Sequence, residues 1–469
     1  MPTRVVVWDS LIGETFPCTY PHDMEISRRA VIASGISTGL TFALAACAAD
    51  GRATSANLSS TDSPGVGTDL YPTSFLRTSW STDPFANGSY SYLAPSNVGT
   101  DARDMLAEPI DRLHFAGEAT SPTAPATTHG AWESGQRAAA EIMETAGTVI
   151  VIGAGFAGLA AARDLTRSGR EVIVVDARDR AGGRAHTVSL NGIPADLGPS
   201  WIHGVEGNPM VELAASAGVE ILPFDYDNQV GGSPSAEAFL DTVLEEAASA
   251  DDAEGRPLSD ALPDELTVDQ QWVIAVNVSG EFGADPTELS MAAPDEGSEL
   301  RGGDALLNPG YSQIVDHVAQ GLDIRLRWIV SNIAYDETGV VVTSDDGQEL
   351  RADHAIVTLP VGVLHAGSVT FSPPLDETKT QALDALQSGL LDKLWLEFDE
   401  VFWDEDADVI NWIDPEHPGN WAFWVNGVKF FGKPVLLGFS AGRVAREFSK
   451  KTDEELIASA MRAVQSMKR

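Results

Sequence analysis

Apolar positions in this chain fall into short unbroken runs set off by glycine. Thr148-Val149-Ile150-Val151-Ile152 is β-branched throughout and lacks polar alternation, which predicts a strand buried on both faces. Helical spacing follows over residues 159–168 and stops at Gly169. A second apolar run over 171–175 ends at Asp176. Strand, helix and strand at this spacing make a βαβ unit and an α/β fold. Residues 355–359 predict another strand, and 389–398 alternate apolar with polar positions, as a half-buried strand does. Residues 30–46 form an apolar, small-residue stretch of a different kind.

Between the first strand and its helix stands Gly153-Ala154-Gly155-Phe156-Ala157-Gly158, the G-x-G-x-x-G fingerprint of a Rossmann-type dinucleotide site. Each glycine has a separate task. Gly153 makes the tight turn, Gly155 lets backbone approach a pyrophosphate, and Gly158 lets helix and strand pack closely. The helix N-terminus offers free N–H groups and a positive dipole end to the phosphates. Asp176 sits where a carboxylate accepts the ribose hydroxyls. A lone G-x-G-x-x-G is weak evidence; its placement between strand and helix, with an acid at the right distance, makes it specific. It does not choose FAD over NAD.

The stretch at 30–46 follows Ser27-Arg28-Arg29 and ends in Leu44-Ala45-Ala46-Cys47. A charged start, an apolar run and then small residues is the grammar of an export signal. The paired arginines resemble a twin-arginine signal. The ending resembles a bacterial lipobox, whose Cys47 would carry lipid and attach the protein to a membrane. A buried helix is the plainer alternative. Residues 1–23 fit poorly before such a signal, which makes Met24 a candidate start. Residues 48–66, rich in Ala, Ser, Thr, Asp and Gly, read as a tether. The expected location is periplasmic or on the cell surface.

Composition narrows the partners. The 469 residues carry 69 acidic and 30 basic side chains, a formal net charge of -39. That argues against nucleic acid, which requires Lys and Arg at its phosphates. A solvated acidic surface explains the charge, and so does a field that draws cationic substrates. Two cysteines, Cys18 and Cys47, leave no disulfide framework and no cysteine-based metal site.

Further motifs carry a family resemblance. Arg178-Asp179-Arg180-Ala181-Gly182-Gly183-Arg184 resembles the R-x-R-x-GG-R stretch of the flavin amine oxidase superfamily, which implies FAD contacts for Arg178, Gly183 and Arg184. Leu197-Gly198-Pro199-Ser200-Trp201-Ile202-His203-Gly204 resembles the segment LGASWIHG of polyamine oxidases. The resemblance places Gly198 and Trp201 at the cofactor and His203 near the substrate channel, although a His beside Trp and Gly is often a structural hydrogen-bonder. Lys393, in Leu391-Asp392-Lys393-Leu394-Trp395, matches the lysine that holds a water against flavin N5. Val330 matches a position whose backbone meets adenine. Phe115-Ala116-Gly117-Glu118-Ala119-Thr120 resembles the strand and turn of the family's last FAD-binding unit. Pro125-Ala126-Thr127-Thr128-His129-Gly130-Ala131 would open the helix whose N-terminus faces the flavin, with Glu118, Thr127 and Thr128 as contacts. Many relatives place a cage tyrosine where Thr127 stands. Trp421, Phe423, Trp424 and Tyr92 are candidate aromatic walls, and equally candidate core. With no cysteine near this unit, FAD is expected to bind non-covalently.

In the family the glycine fingerprint comes first and the G-E-A-T unit last. Here Gly117 precedes Gly153. The resemblance covers about residues 66–469 in circularly permuted order, with the old ends joined through 142–147. The expected organisation is an export signal and tether over 1–65, substrate-domain segments over 66–100, 226–300 and 371–469, and FAD-binding segments over 101–147, 148–225 and 301–370. The 148–225 segment is the Rossmann unit, and the substrate domain is a mixed sheet flanked by helices. The implied reaction transfers hydride from an amine's α carbon to flavin N5. The imine hydrolyses to an aldehyde, and O₂ becomes H₂O₂. The substrate would be a polyamine or another primary or secondary amine. Alternatives are an L-amino acid oxidase, an FAD-dependent desaturase and a non-catalytic flavoprotein scaffold. The sequence leaves the oligomeric state open.

Overall fold

The structure, a computed structural model, describes residues 70–468. The proposed signal, lipobox and tether lie outside the described residues. No helix among the described residues is long and apolar enough to cross a membrane.

A five-stranded parallel sheet carries the nucleotide fingerprint. Its order is Ile324–Arg325, Val172–Val175, Val149–Ile152, His354–Val357 and Leu113–Phe115. The predicted strand at 148–152 forms as Val149–Ile152, and all four residues are buried, as a central parallel strand requires. The helix begins earlier than its apolar spacing suggested, at Phe156, and runs to Arg167. Gly155 is its N-cap, so its first turn lies inside the fingerprint. The helix Thr128–Ile142 packs along it so closely that a Cβ on Gly135 would lie 2.0 Å from the Ala157 carbonyl oxygen.

A six-stranded sheet forms the second large layer. Its order is Ser74–Arg77, Leu391–Glu397, Val435–Ala441, Phe423–Asn426, Val409–Asn411 and Gln229–Val230. Here one expectation fails. Leu391–Glu397 is not half-buried: its first six residues are buried on both faces. It lies between two other strands, and aromatic and aliphatic side chains cover both sides of the sheet. Its polar residues are therefore buried and bonded. Asp392 accepts from Thr78 Oγ1 at 2.8 Å and from the Trp80 amide at 3.0 Å. Burial still raises the Asp392 carboxyl above its ordinary range.

Smaller sheets connect these layers. Trp201–Ile202, Asp304–Asn308 and Glu220–Phe224 form one, and Glu349–Ala352, Gly339–Ser344, Val330–Asp336 and Thr370–Ser372 form another. A helical segment with Pro234–Ala248 and Val268–Ile274 buries Leu240, Leu244 and Trp272 in the core that also holds Trp201, Phe224 and Phe423.

Candidate active site

The fingerprint loop borders a cleft of about 1350 Å³ of atom-free space, its open mouth included. Gly153, Gly155, Asp176, Arg178, Gly183, Arg184, Val330, Gly117, Glu118, Thr127 and Thr128 all line it. These residues come from separate stretches of the chain, 117–128, 153–184 and 330. Gly153 has φ +110°, a conformation that glycine adopts without strain. A Cβ on Gly155 would meet only the Gly182 carbonyl oxygen, at 3.9 Å, so its backbone faces open space. A Cβ on Gly158 would lie 1.9 Å from the Gly153 carbonyl oxygen, so that glycine serves helix–strand packing.

Asp176 stands at the end of the second strand. Its carboxylate accepts from the Ala154 amide at 2.7 Å and from the Arg178 amide at 2.8 Å. Burial raises its pKa against the pull of these bonds. Arg178 forms an ion pair with Asp83 at 2.8 Å, with both side chains 2% exposed. The pair ties the segment after Trp80 to the nucleotide unit. At the other end, Glu118 accepts from Ser91 Oγ at 2.6 Å and from Arg184 Nη1 at 3.1 Å. Behind it, Arg103 donates to Ser91 Oγ at 2.9 Å and holds Glu296 at 2.7 and 3.0 Å. Thr127 caps its helix, accepting from the Gly130 amide at 2.9 Å.

Gly198, Trp201, Lys393 and His203 lie behind this lining. Lys393 is 2% exposed. Its ammonium donates to Asp196 O at 3.0 Å, Gly198 O at 2.5 Å and Ser200 Oγ at 2.6 Å. It also stands 5.8 Å from the centre of the Phe439 ring. Pro199, inside the segment it grips, lines the cleft. Trp201 packs against Phe224, Tyr226 and Phe439 and stacks with His203. The hydroxyl of Tyr311 bridges the two regions, donating to Trp201 O at 2.6 Å and meeting Thr128 Oγ1 at 3.2 Å. Of the candidate aromatic walls, Phe423 packs on Phe439. Trp421 and Trp424 pack on each other within a core cluster, and burial pushes the Tyr92 hydroxyl up to about 12.

Sequence reasoning missed Asp83, Phe85, Arg103, Glu296, Trp328 and Thr358. Asp83 and Phe85 sit near Trp80 and Tyr90, and nothing local says that one carboxylate reaches Arg178. Arg103 and Glu296 are 193 residues apart, and no spacing signal links them.

The parallel sheet, the fingerprint and the cleft they border define a dinucleotide-binding protein. Its residues fit FAD: bare glycine backbone faces the cleft, a twelve-residue helix starts there, and a carboxylate marks the end of the second strand. A family model described as flavin containing amine oxidoreductase matches residues 66–143, 156–264 and 246–468. The chain belongs to this family and is an FAD-dependent amine oxidase. Polyamine oxidase 4 of Oryza sativa subsp. japonica is 34% identical over 356 residues, 68% of this chain and 72% of that protein. Polyamine oxidase 2 of Arabidopsis thaliana is 31% identical over 343 residues, 66% of this chain and 69% of that protein. A structure of putrescine oxidase bound to putrescine matches with TM-score 0.56 at 19% identity, over 68% of this chain and 81% of that one. Cyclohexylamine oxidase from Brevibacterium oxydans IH-35A gives TM-score 0.56 at 24% identity, over 68% and 80%. These two structures show the same fold.

Proposed function

We propose that this enzyme oxidises a polyamine or another primary or secondary amine at the carbon bearing nitrogen. The observation that carries this reading is the placement of Lys393. Its buried ammonium grips the segment behind the cleft and stands over a ring of the aromatic cluster. FAD, when bound, supplies the two-electron acceptor, and O₂ takes the electrons onward. The protein orients the amine and excludes water, and Lys393, whose three N–H groups bond Asp196 O, Gly198 O and Ser200 Oγ, fixes the segment that carries Pro199 to the cleft. The aromatic rings around Trp201 suit the carbon chain of an amine. An amino acid oxidase requires an arginine for the substrate carboxylate. The two arginines that line the cofactor cleft, Arg178 and Arg184, hold Asp83 and Glu118 instead.

A peroxide-coupled screen of amines and amino acids tests the reading. Anaerobic bleaching of the flavin by spermine, with no bleaching by amino acids, is the expected result. Bleaching by amino acids alone would overturn it.

The inverted order of motifs is read as a circular permutation. Support comes from the short connection at 142–147, which Arg170 holds by hydrogen bonds to Ile142 O and Gly147 O, both at 2.9 Å. Export behind the Arg28-Arg29 segment, with lipid on Cys47, is a further part of the proposal. N-terminal sequencing of the mature protein that begins at Met1 would refute it.

A further inference from the structure

We propose that Asp304 is a positioning residue that fixes His203 as a hydrogen-bond acceptor for the substrate's amino group. This rests on the amine reading above and adds a residue that neither motif nor family match assigns.

His203 Nδ1 lies 2.6 Å from Asp304 Oδ2. The Asp304 side chain has no solvent exposure. Its other oxygen accepts from the Gly204 amide at 2.9 Å, and Tyr226 OH donates to Oδ2 at 3.4 Å. An ionised carboxylate only accepts, so Nδ1 is the donor, and in the neutral form of the ring it carries the single proton. The lone pair is then on Nε2. That nitrogen is buried and has no hydrogen-bond partner among the described residues. A buried acceptor without a donor is unfavourable, and an N–H from a ligand satisfies it.

The ring cannot easily turn away. Trp201 stacks on it at 6.4 Å with 23° between the planes. Asn208 Nδ2 holds the His203 carbonyl oxygen at 3.0 Å. Trp201 in turn packs on Phe439, the ring beneath the Lys393 ammonium. The buried, unpartnered nitrogen therefore belongs to the same aromatic cluster as the lysine. The surroundings are acidic: Asp304, Glu281 and Glu299 all act on Tyr226. A cationic or neutral amine donates N–H into such a place, whereas an anion does not.

Two measurements on the FAD-loaded enzyme test this. Nitrogen-15 histidine spectra read the tautomer without any substrate. The wild type should show Nδ1–H at His203. Asp304→Asn, whose amide can donate to Nδ1, should show Nε2–H. A wild-type ring protonated on Nε2, or on both nitrogens, overturns the proposal whatever the enzyme oxidises. Steady-state oxidation of spermine, or of the best amine from the screen, gives the second reading. Asp304→Asn should keep its FAD and its visible spectrum, while kcat/KM falls on the order of 10- to 100-fold, the range lost when the partner that orients a metal-bound histidine is removed. Most of the loss should appear in KM. In a His203→Ala background the same change should cost less than about twofold, because the residues act through one another. Equal losses in both backgrounds, or unchanged kcat/KM in Asp304→Asn, overturn it. If the wild type oxidises no amine yet shows the Nδ1–H tautomer, the amine reading fails and the tautomer assignment stands.

Discussion

At the scale of single residues, buried charge dominates. Lys393 is enclosed and makes three hydrogen bonds, so its removal affects both chemistry and support. We expect Lys393→Met to retain FAD and to lose turnover on the order of 10²-fold, the scale of misplacing a reacting group. Rapid-reaction reduction of the flavin by amine checks this, and wild-type rates would exclude the role. Arg103 and Glu296 present a different case. They are 1% and 5% exposed, and the arginine holds Ser91 against Glu118. Glu296→Ala leaves a buried guanidinium without its carboxylate. Urea unfolding should show a loss of about 3–5 kcal/mol, and FAD should dissociate more readily.

At the scale of elements, the glycines of one loop separate packing from binding. Gly155→Ala adds a methyl group to the cleft, so the apo fold should keep its stability while FAD affinity collapses. Gly158→Ala drives a methyl group into the Gly153 carbonyl and should lower the thermal midpoint of the apo protein itself. Calorimetry with and without added FAD distinguishes the two. The junction of helix Thr128–Ile142 with strand Val149–Ile152 carries a pH dependence. His354 meets His114 Nε2 at 3.3 Å and Thr145 Oγ1 at 3.3 Å. Burial, then the charges of His114, Arg112 and Arg170, hold its pKa down at about 4. Between that value and the unfolded value near 6.5, only the unfolded chain carries the proton. This contribution to stability is therefore present above pH 6.5 and lost as pH falls toward 4. Urea midpoints at pH 7 and pH 4.5 should differ less in His354→Asn than in the wild type.

At the scale of the whole molecule, segments on either side of one helix form a single cleft. Gly117 and Glu118 face the same space as Gly153 and Gly155, although the helix Thr128–Ile142 and its connection separate them in sequence. Peptide mapping of natively expressed protein should recover a single peptide spanning residues 141–163. Two separate chains would mean a split gene rather than a circular permutation. A net charge of -39 acts over the whole surface. If it steers substrate, kcat/KM for spermine should fall severalfold as salt rises to about 0.5 M, and that for a monoamine should fall less.

The sequence by itself determined the nucleotide unit, because a β-branched run, three glycines and an acid at fixed distances follow from local backbone rules. It also determined the cofactor class and the family, since those motifs are contiguous. Tertiary structure alone decided that Asp83 pairs with Arg178, that Glu296 holds Arg103, and that Asp304 faces His203. Those partners are distant in sequence, and a carboxylate's partner depends on which strands and loops meet. The same holds for Leu391–Glu397. Its alternation reads as a strand with one wet face, but neighbouring strands and the packing on both sides of the sheet bury it, and Lys393 with it.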